Sequence, residues 1–187
     1  AYWLETSRSI QVSDGLSEVS EPVFDQSGKY LFFFASTNAG PTKDWFALSN
    51  ADVRSTQSIY LAVLRNDLPS PLARESDEEK GTPAKEEKPA ESKPAASEPF
   101  SIDPDGLNNR ILAMPIPARN YWSLQAGAAG QIYFLEDSSP QAEGGGALHG
   151  ALHHYDLNTR KDEVLISDVG DFELTADRKK LLYRAGE

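Results

Sequence analysis

The sequence predicts an all-β fold: a partial β-propeller of four-stranded antiparallel blades, interrupted by a disordered insertion. Three observations predict it. Several short aromatic and aliphatic runs are apolar at every position, which marks strands covered on both faces. A pattern of strand, polar turn, Lys and apolar strand recurs along the chain. No stretch sustains the period of an amphipathic helix. A propeller blade buries both faces against its neighbours, so repetition and two-sided strands follow from one architecture.

The elements follow in chain order. Residues 8 to 13 are expected to end one blade. The first full blade runs over about 21–117. Its inner strand is Glu21 to Phe24, followed by Tyr30 to Ala35 and Ile59 to Leu64. Ile111 to Ile116 is the outer strand, because Pro115 and Pro117 cannot donate ladder hydrogen bonds and belong on an edge. The second blade, about 121–167, comprises Tyr121 to Leu124, Gln131 to Leu135, Leu152 to Leu157 and Glu163 to Ile166, the last two joined by a turn at Asn158-Thr159-Arg160-Lys161. Residues 171–187 begin a further blade.

The repeat supports this division. Pro22-Val23-Phe24-Asp25-Gln26-Ser27-Gly28-Lys29-Tyr30-Leu31-Phe32-Phe33 recurs loosely as Phe172-Glu173-Leu174-Thr175-Ala176-Asp177-Arg178-Lys179-Lys180-Leu181-Leu182-Tyr183. A third copy runs from Tyr121 to Leu135, with Gln125 to Gly130 as its turn. Allowing for loop and insertion, the intervals approach the roughly 40–50 residues of a four-stranded blade.

The insertion stands apart in composition. From Ala73 to Pro99 there is no aromatic residue and no Val, Ile, Leu or Met, but four prolines, eight acids and five bases. Such a segment has too little apolar surface to offset its ordering entropy, so 73–99 is expected to be disordered. Its mixed charges point to a solvated rim insertion rather than an acidic interaction tail.

Charge and composition exclude several classes of function. The 187 residues carry a formal net charge of −11. Clustered Lys and Arg, which phosphate contacts require, are missing, so neither nucleic acid nor an anionic membrane is an expected partner. No run approaches the roughly 18 apolar residues that span a bilayer. There is no cysteine, which excludes disulfides, thiolate catalysis and Cys-ligated zinc. That composition is compatible with a bacterial cytoplasm or periplasm.

Few residues suggest chemistry. No Gly-x-Ser-x-Gly is present, and the histidines number three: His149, His153 and His154. His149 and His153 have the i, i+4 spacing of metal ligands on a helix, but Gly144-Gly145-Gly146 precedes them and a strand follows. His153 and His154, adjacent on a strand, face opposite ways. Asp103-Pro104-Asp105-Gly106 resembles the start of a calcium loop but lacks the later ligands, and as a turn it needs no ion. No catalytic residue, cofactor or metal site is therefore assigned. Asp44 and Trp45, a carboxylate beside an aromatic ring in a long loop, are the candidate peptide-binding residues, although capping of the propeller core is the favoured role of Asp44-Trp45-Phe46. Tyr121-Trp122 is expected to pack within an inner strand.

The repeats resemble the strand–Asp–turn–Gly–Lys–strand signature of WD-repeat-like and TolB-like propellers. The resemblance goes further. Pro22 to Phe33, then Ile59 to Pro71 leading into the acidic insertion, then Ile102 to Pro117 is similar to the propeller region of bacterial tricorn-type serine peptidases. It covers nearly all of the chain outside the insertion, with Arg178 standing where that signature has a turn glycine. The resemblance implies a noncatalytic part that gates or guides peptides or supports assembly. It also implies a PDZ-like domain and a peptidase core with a nucleophilic serine elsewhere in the parent protein. The alternatives are a TolB-like binding or scaffold propeller without a protease, and a propeller fused to an α/β-hydrolase. The terminal strand at Lys180 to Ala185 reads as a chain cut within a blade. Its open edge is expected to pair with another blade or with another copy.

Overall fold

The computed structural model describes residues 1–36, 56–73, 100–137 and 149–185. Asp44, Trp45 and residues 74–99 of the insertion lie outside the described residues. Among the described residues, eleven strands form three antiparallel sheets. The first four-stranded sheet has the order β3 (Val19–Phe24), β4 (Tyr30–Ser36), β5 (Gln57–Val63), β6 (Ile111–Ala113). A five-stranded sheet has the order β11 (Leu181–Ala185), β10 (Lys161–Leu174), β9 (Gly150–Asp156), β8 (Gln131–Asp137), β7 (Tyr121–Ala126). A small ladder pairs β1 (Tyr2–Trp3) with β2 (Arg8–Ser9). Among the described residues the helical element is one 3-10 turn, Leu107–Arg110.

The two-sided strands sit where their sequences require. Along β4, Phe32 and Phe34 enter the core between the two large sheets. Leu31, Phe33 and Ala35 point to the opposite face, where Ala62, Leu64 and the partly buried Val12 meet them. Pairing of Phe32 with Leu61 and Phe34 with Ile59 places β5 in step, so both strands divide their apolar residues the same way. The second sheet supplies Ile132, Phe134, Tyr155 and Leu157 to the shared core. Tyr121 joins the two sheets: its ring stacks on Phe34 at 5.9 Å and meets Phe134 edge-on at 5.2 Å. A third cluster, around Leu135, Leu152, Val169 and Phe172, fills the other face of the second sheet. Fully burying each aliphatic or aromatic side chain is worth about 1.5–3 kcal/mol, so these three clusters dominate the stability.

Two details differ from the sequence expectation. Glu163 to Ile166 and the strand from residue 171 are one continuous strand, β10, of 14 residues. Its first half pairs with β9 and its second half with β11. No turn separates the halves because bulges absorb the misfit at Val164/Ile166, Ile166/Val169 and Val169/Asp171, with Asp168 at φ 61°. The outer strand β6 stops at Ala113 rather than Ile116, one residue beyond which Met114 still donates to Ile59 O at 2.9 Å before Pro115 ends the ladder. Arg8–Ser9 pairs with β1 in the small ladder, outside the four-stranded sheet.

Candidate functional site

The recurring turns carry the polar chemistry of the molecule. At the first, Asp25 N donates to Tyr30 O at 3.0 Å and Gly28 N donates to Asp25 O at 2.9 Å. At the last, Thr175 N donates to Lys180 O at 3.0 Å and Arg178 N donates to Thr175 O at 2.8 Å. Gly28 and Arg178 share the left-handed backbone, at φ 70° and 58°. The middle turn is one residue shorter: Gly127 N donates to Gln131 O at 2.8 Å, with Gly130 at φ 79°. The inner strands repeat as well. Glu21 and Ser123, each four residues before its turn, sit at φ 49° and 56° within a bulge.

Side chains from these turns and bulges tie β3, β7 and the second half of β10 together. The buried Asp25 carboxylate accepts Gly130 N at 2.7 Å across the sheets, and Ser27 N at 2.9 Å within its own turn. The Ser27 hydroxyl also donates to it. Glu21 accepts Leu124 N at 2.6 Å. Gln125 answers on the other side: its amide donates to Phe172 O at 2.9 Å and accepts Leu174 N at 3.0 Å. Arg178 donates from its guanidinium to Ala126 O. The residue that departs from the turn glycine thus serves as a bridge, and this bond offsets the roughly 1–2 kcal/mol of left-handed backbone strain.

Above the Asp25–Gly130 contact lies a cleft of about 430 Å³ between the two large sheets. Lys29 and Tyr30 come from the first turn, Gly130 from the middle turn, and Asn158 and Arg160 from the β9–β10 hairpin. Arg160 also holds the chain leading to the insertion, donating to Pro71 O at 3.2 Å and Ala73 O at 2.6 Å. Among the described residues, no carboxylate lines the cleft. Burial, then the nearby Asp25 charge, pushes the Tyr30 phenol above its ordinary value.

The histidines are held apart. His153 is buried on β9, stacked on Phe134 at 5.0 Å. Its Nδ1 lies 2.9 Å from Asp162 and its Nε2 3.5 Å from Glu136. Both ring nitrogens face carboxylates, which leaves neither free to take a proton from a nucleophile. His149 pairs with Asp168 at 3.0 Å, and His154 lies against Tyr133 at 4.8 Å between ring centres. Among the described residues, no group of three or more His, Cys, Asp or Glu side chains could hold a metal ion. At Asp103-Pro104-Asp105-Gly106 the Asp103 carboxylate accepts Asn66 N at 2.9 Å, while the Arg110 guanidinium donates to Asp105 O, Val63 O and Asp103 O. A guanidinium therefore takes the carbonyls that an ion would need. Tyr121 packs in the core and Trp122 packs against the third cluster.

The sequence pointed to none of Glu21, Gln125, Lys29 or Arg160. Bulge positions and turn positions alike carry polar residues, and one chain cannot distinguish a bridging side chain from a solvated one.

The architecture has close counterparts. All of residues 1–187 match the family described as the tricorn protease second beta propeller domain. A tricorn protease homolog of Saccharolobus solfataricus is 29% identical over 163 residues, covering 86% of this chain and 14% of the relative. Tricorn protease homolog 1 of Streptomyces coelicolor is 31% identical over 176 residues, covering 86% of this chain and 15% of the relative. The chain thus spans about one seventh of the length of these curated relatives. The crystal structure of the tricorn protease superposes with a TM-score of 0.65 at 18% identity, over 98% of this chain and 17% of that one. With the repeated bulged strands and the bridges between them, these matches place the chain in a family: it belongs to the second β-propeller domain family of tricorn proteases.

Proposed function

We propose that the chain is a noncatalytic propeller wall of a tricorn-like serine peptidase, where it guides peptide substrates toward a peptidase core. The observation that carries this reading is the set of bridges between inner strands. Asp25, Glu21, Gln125 and Arg178 are all spent on fixing neighbouring strands. His153, the most buried candidate base, is held between two acids. This is a frame built to hold a surface, with its polar groups committed to structure.

The partners of such a wall are further blades, a PDZ-like domain and the core that carries the nucleophile. Exposed Leu182 and Tyr183 on β11 offer a further contact, either to another blade or to a second copy. The test is to incubate the purified chain with unfolded peptides and follow them by mass spectrometry. Intact peptides are expected. Turnover that disappears on replacing a serine of this chain would overturn the noncatalytic assignment.

A further inference from the structure

We propose that the cleft above the Asp25–Gly130 contact is a binding site for a peptide carboxylate. The proposal deepens the peptide-guiding reading and rests on it. The cleft is rich in donors. Lys29 and Arg160 enter it from two different sheets, and Asn158 lies beside them. Among the described residues, neither cation forms an ion pair with a carboxylate. Arg160 commits Nη2 to Pro71 O and Ala73 O, which fixes its guanidinium at the rim. Of the carboxylates beside the cleft among the described residues, Asp25 is buried and accepts from Gly130 N, Ser27 N and the Ser27 hydroxyl. Asp156 accepts from Asn158 N, Thr159 N and Gln131 Nε2.

Lys29 and Arg160 thus bring two cations to one polar cleft of a chain whose net charge is −11. The ligand that complements it is an anion with planar acceptor oxygens, which a guanidinium binds well. The remaining lining, with Leu157, Pro71 and Ala129, accommodates the small apolar part of a peptide next to its charge. Either a C-terminal carboxylate or an acidic side chain supplies this chemistry.

Backbone amide spectra of the chain distinguish the sources. Four probes are titrated: N-acetyl-trialanine with a free carboxylate, the same peptide as its C-terminal amide, N-acetyl-Ala-Glu-Ala-amide, and inorganic phosphate. Saturable shifts at Gly130 and Asn158 are expected with the free acid, the glutamyl peptide or both, and not with the amide. Lys29→Gln weakens that binding about tenfold and Lys29→Arg restores it, the size expected for one charge-assisted hydrogen bond. Lys29 is exposed, so the fold survives the change. Equal binding of acid and amide, indifference to Lys29→Gln, or a response to phosphate alone overturns the carboxylate site. Amide-peptide shifts elsewhere on the chain, without response at Gly130, overturn the site and leave peptide guidance standing. No response to any peptide overturns both.

Discussion

The Asp25 carboxylate accepts the backbone N–H of Gly130 at 2.7 Å, joining two sheets through residues 105 positions apart. Asp25 is only 3% exposed, and it holds Ser27 N as well. Removing it strands a buried donor and loses charge-assisted bonds. Asp25→Ala should therefore lower the unfolding free energy by about 2–4 kcal/mol, read from urea denaturation. Ser27→Ala, which removes one donor to Asp25 and the acceptor of the exposed Lys29 N, should cost about 1 kcal/mol. Equal effects would show that the cross-sheet bond carries no weight.

Gln125 gives a local prediction. Its amide both donates to Phe172 O and accepts Leu174 N, as a ladder residue would. Gln125→Ala should raise hydrogen exchange across residues 171–174 and 181–185, while β4 and β5 stay protected. Uniform deprotection would mean that the sheets do not loosen separately.

Gly150 is fixed by space rather than by dihedral angle. A Cβ there would lie 2.4 Å from Glu136 O and 2.6 Å from the Trp122 ring. Backbone cannot yield as a side chain does, so Gly150→Ala should cost about 3 kcal/mol in thermal or chemical unfolding. At Gly28 the nearest atom is the exposed Phe100 ring at 3.1 Å. Gly28→Ala should cost about 1–2 kcal/mol, from its left-handed backbone alone.

Alkaline titration tests the core. Burial, then Glu136 and Asp162, raises the Tyr121 phenol well above its ordinary value, and Tyr133 and Tyr155 are also raised by burial. The unfolded chain ionises these phenols near pH 10, whereas the folded chain resists. Their contribution is thus full below about pH 10 and is lost as pH rises through the folded values. Ultraviolet titration should show late phenolate formation accompanied by unfolding. Tyr121→Phe should flatten the fall in stability above pH 10, although it loses the bond from Tyr121 OH to Pro117 O.

Much of the fold was legible because it rests on local signals. The runs at Tyr30 to Ala35 and Ile59 to Leu64 are apolar throughout, and such runs become strands between two layers. The prolines placed Ile111 to Ile116 at a sheet edge, where it lies, although the strand ended at Ala113, three residues earlier than the apolar run suggested. β10 was misread as two strands because Ser167-Asp168-Val169-Gly170 has the composition of a turn. Bulges let the ladder continue through it. Arg178 looked like a defect in the repeat, and its bond to Ala126 O is visible only when both sheets are in place. The cleft joins residues as distant as Lys29 and Arg160, a pairing that no local pattern encodes.

The central claim is that side chains of one repeat register the inner strand of the next. It is tested most directly by a through-hydrogen-bond coupling experiment on the isotopically labelled chain, correlating the Gly130 amide nitrogen with the Asp25 carboxyl carbon. A cross-peak between them that vanishes in Asp25→Ala is the predicted result. No cross-peak, together with rapid solvent exchange of the Gly130 amide in an otherwise protected fold, would contradict the account.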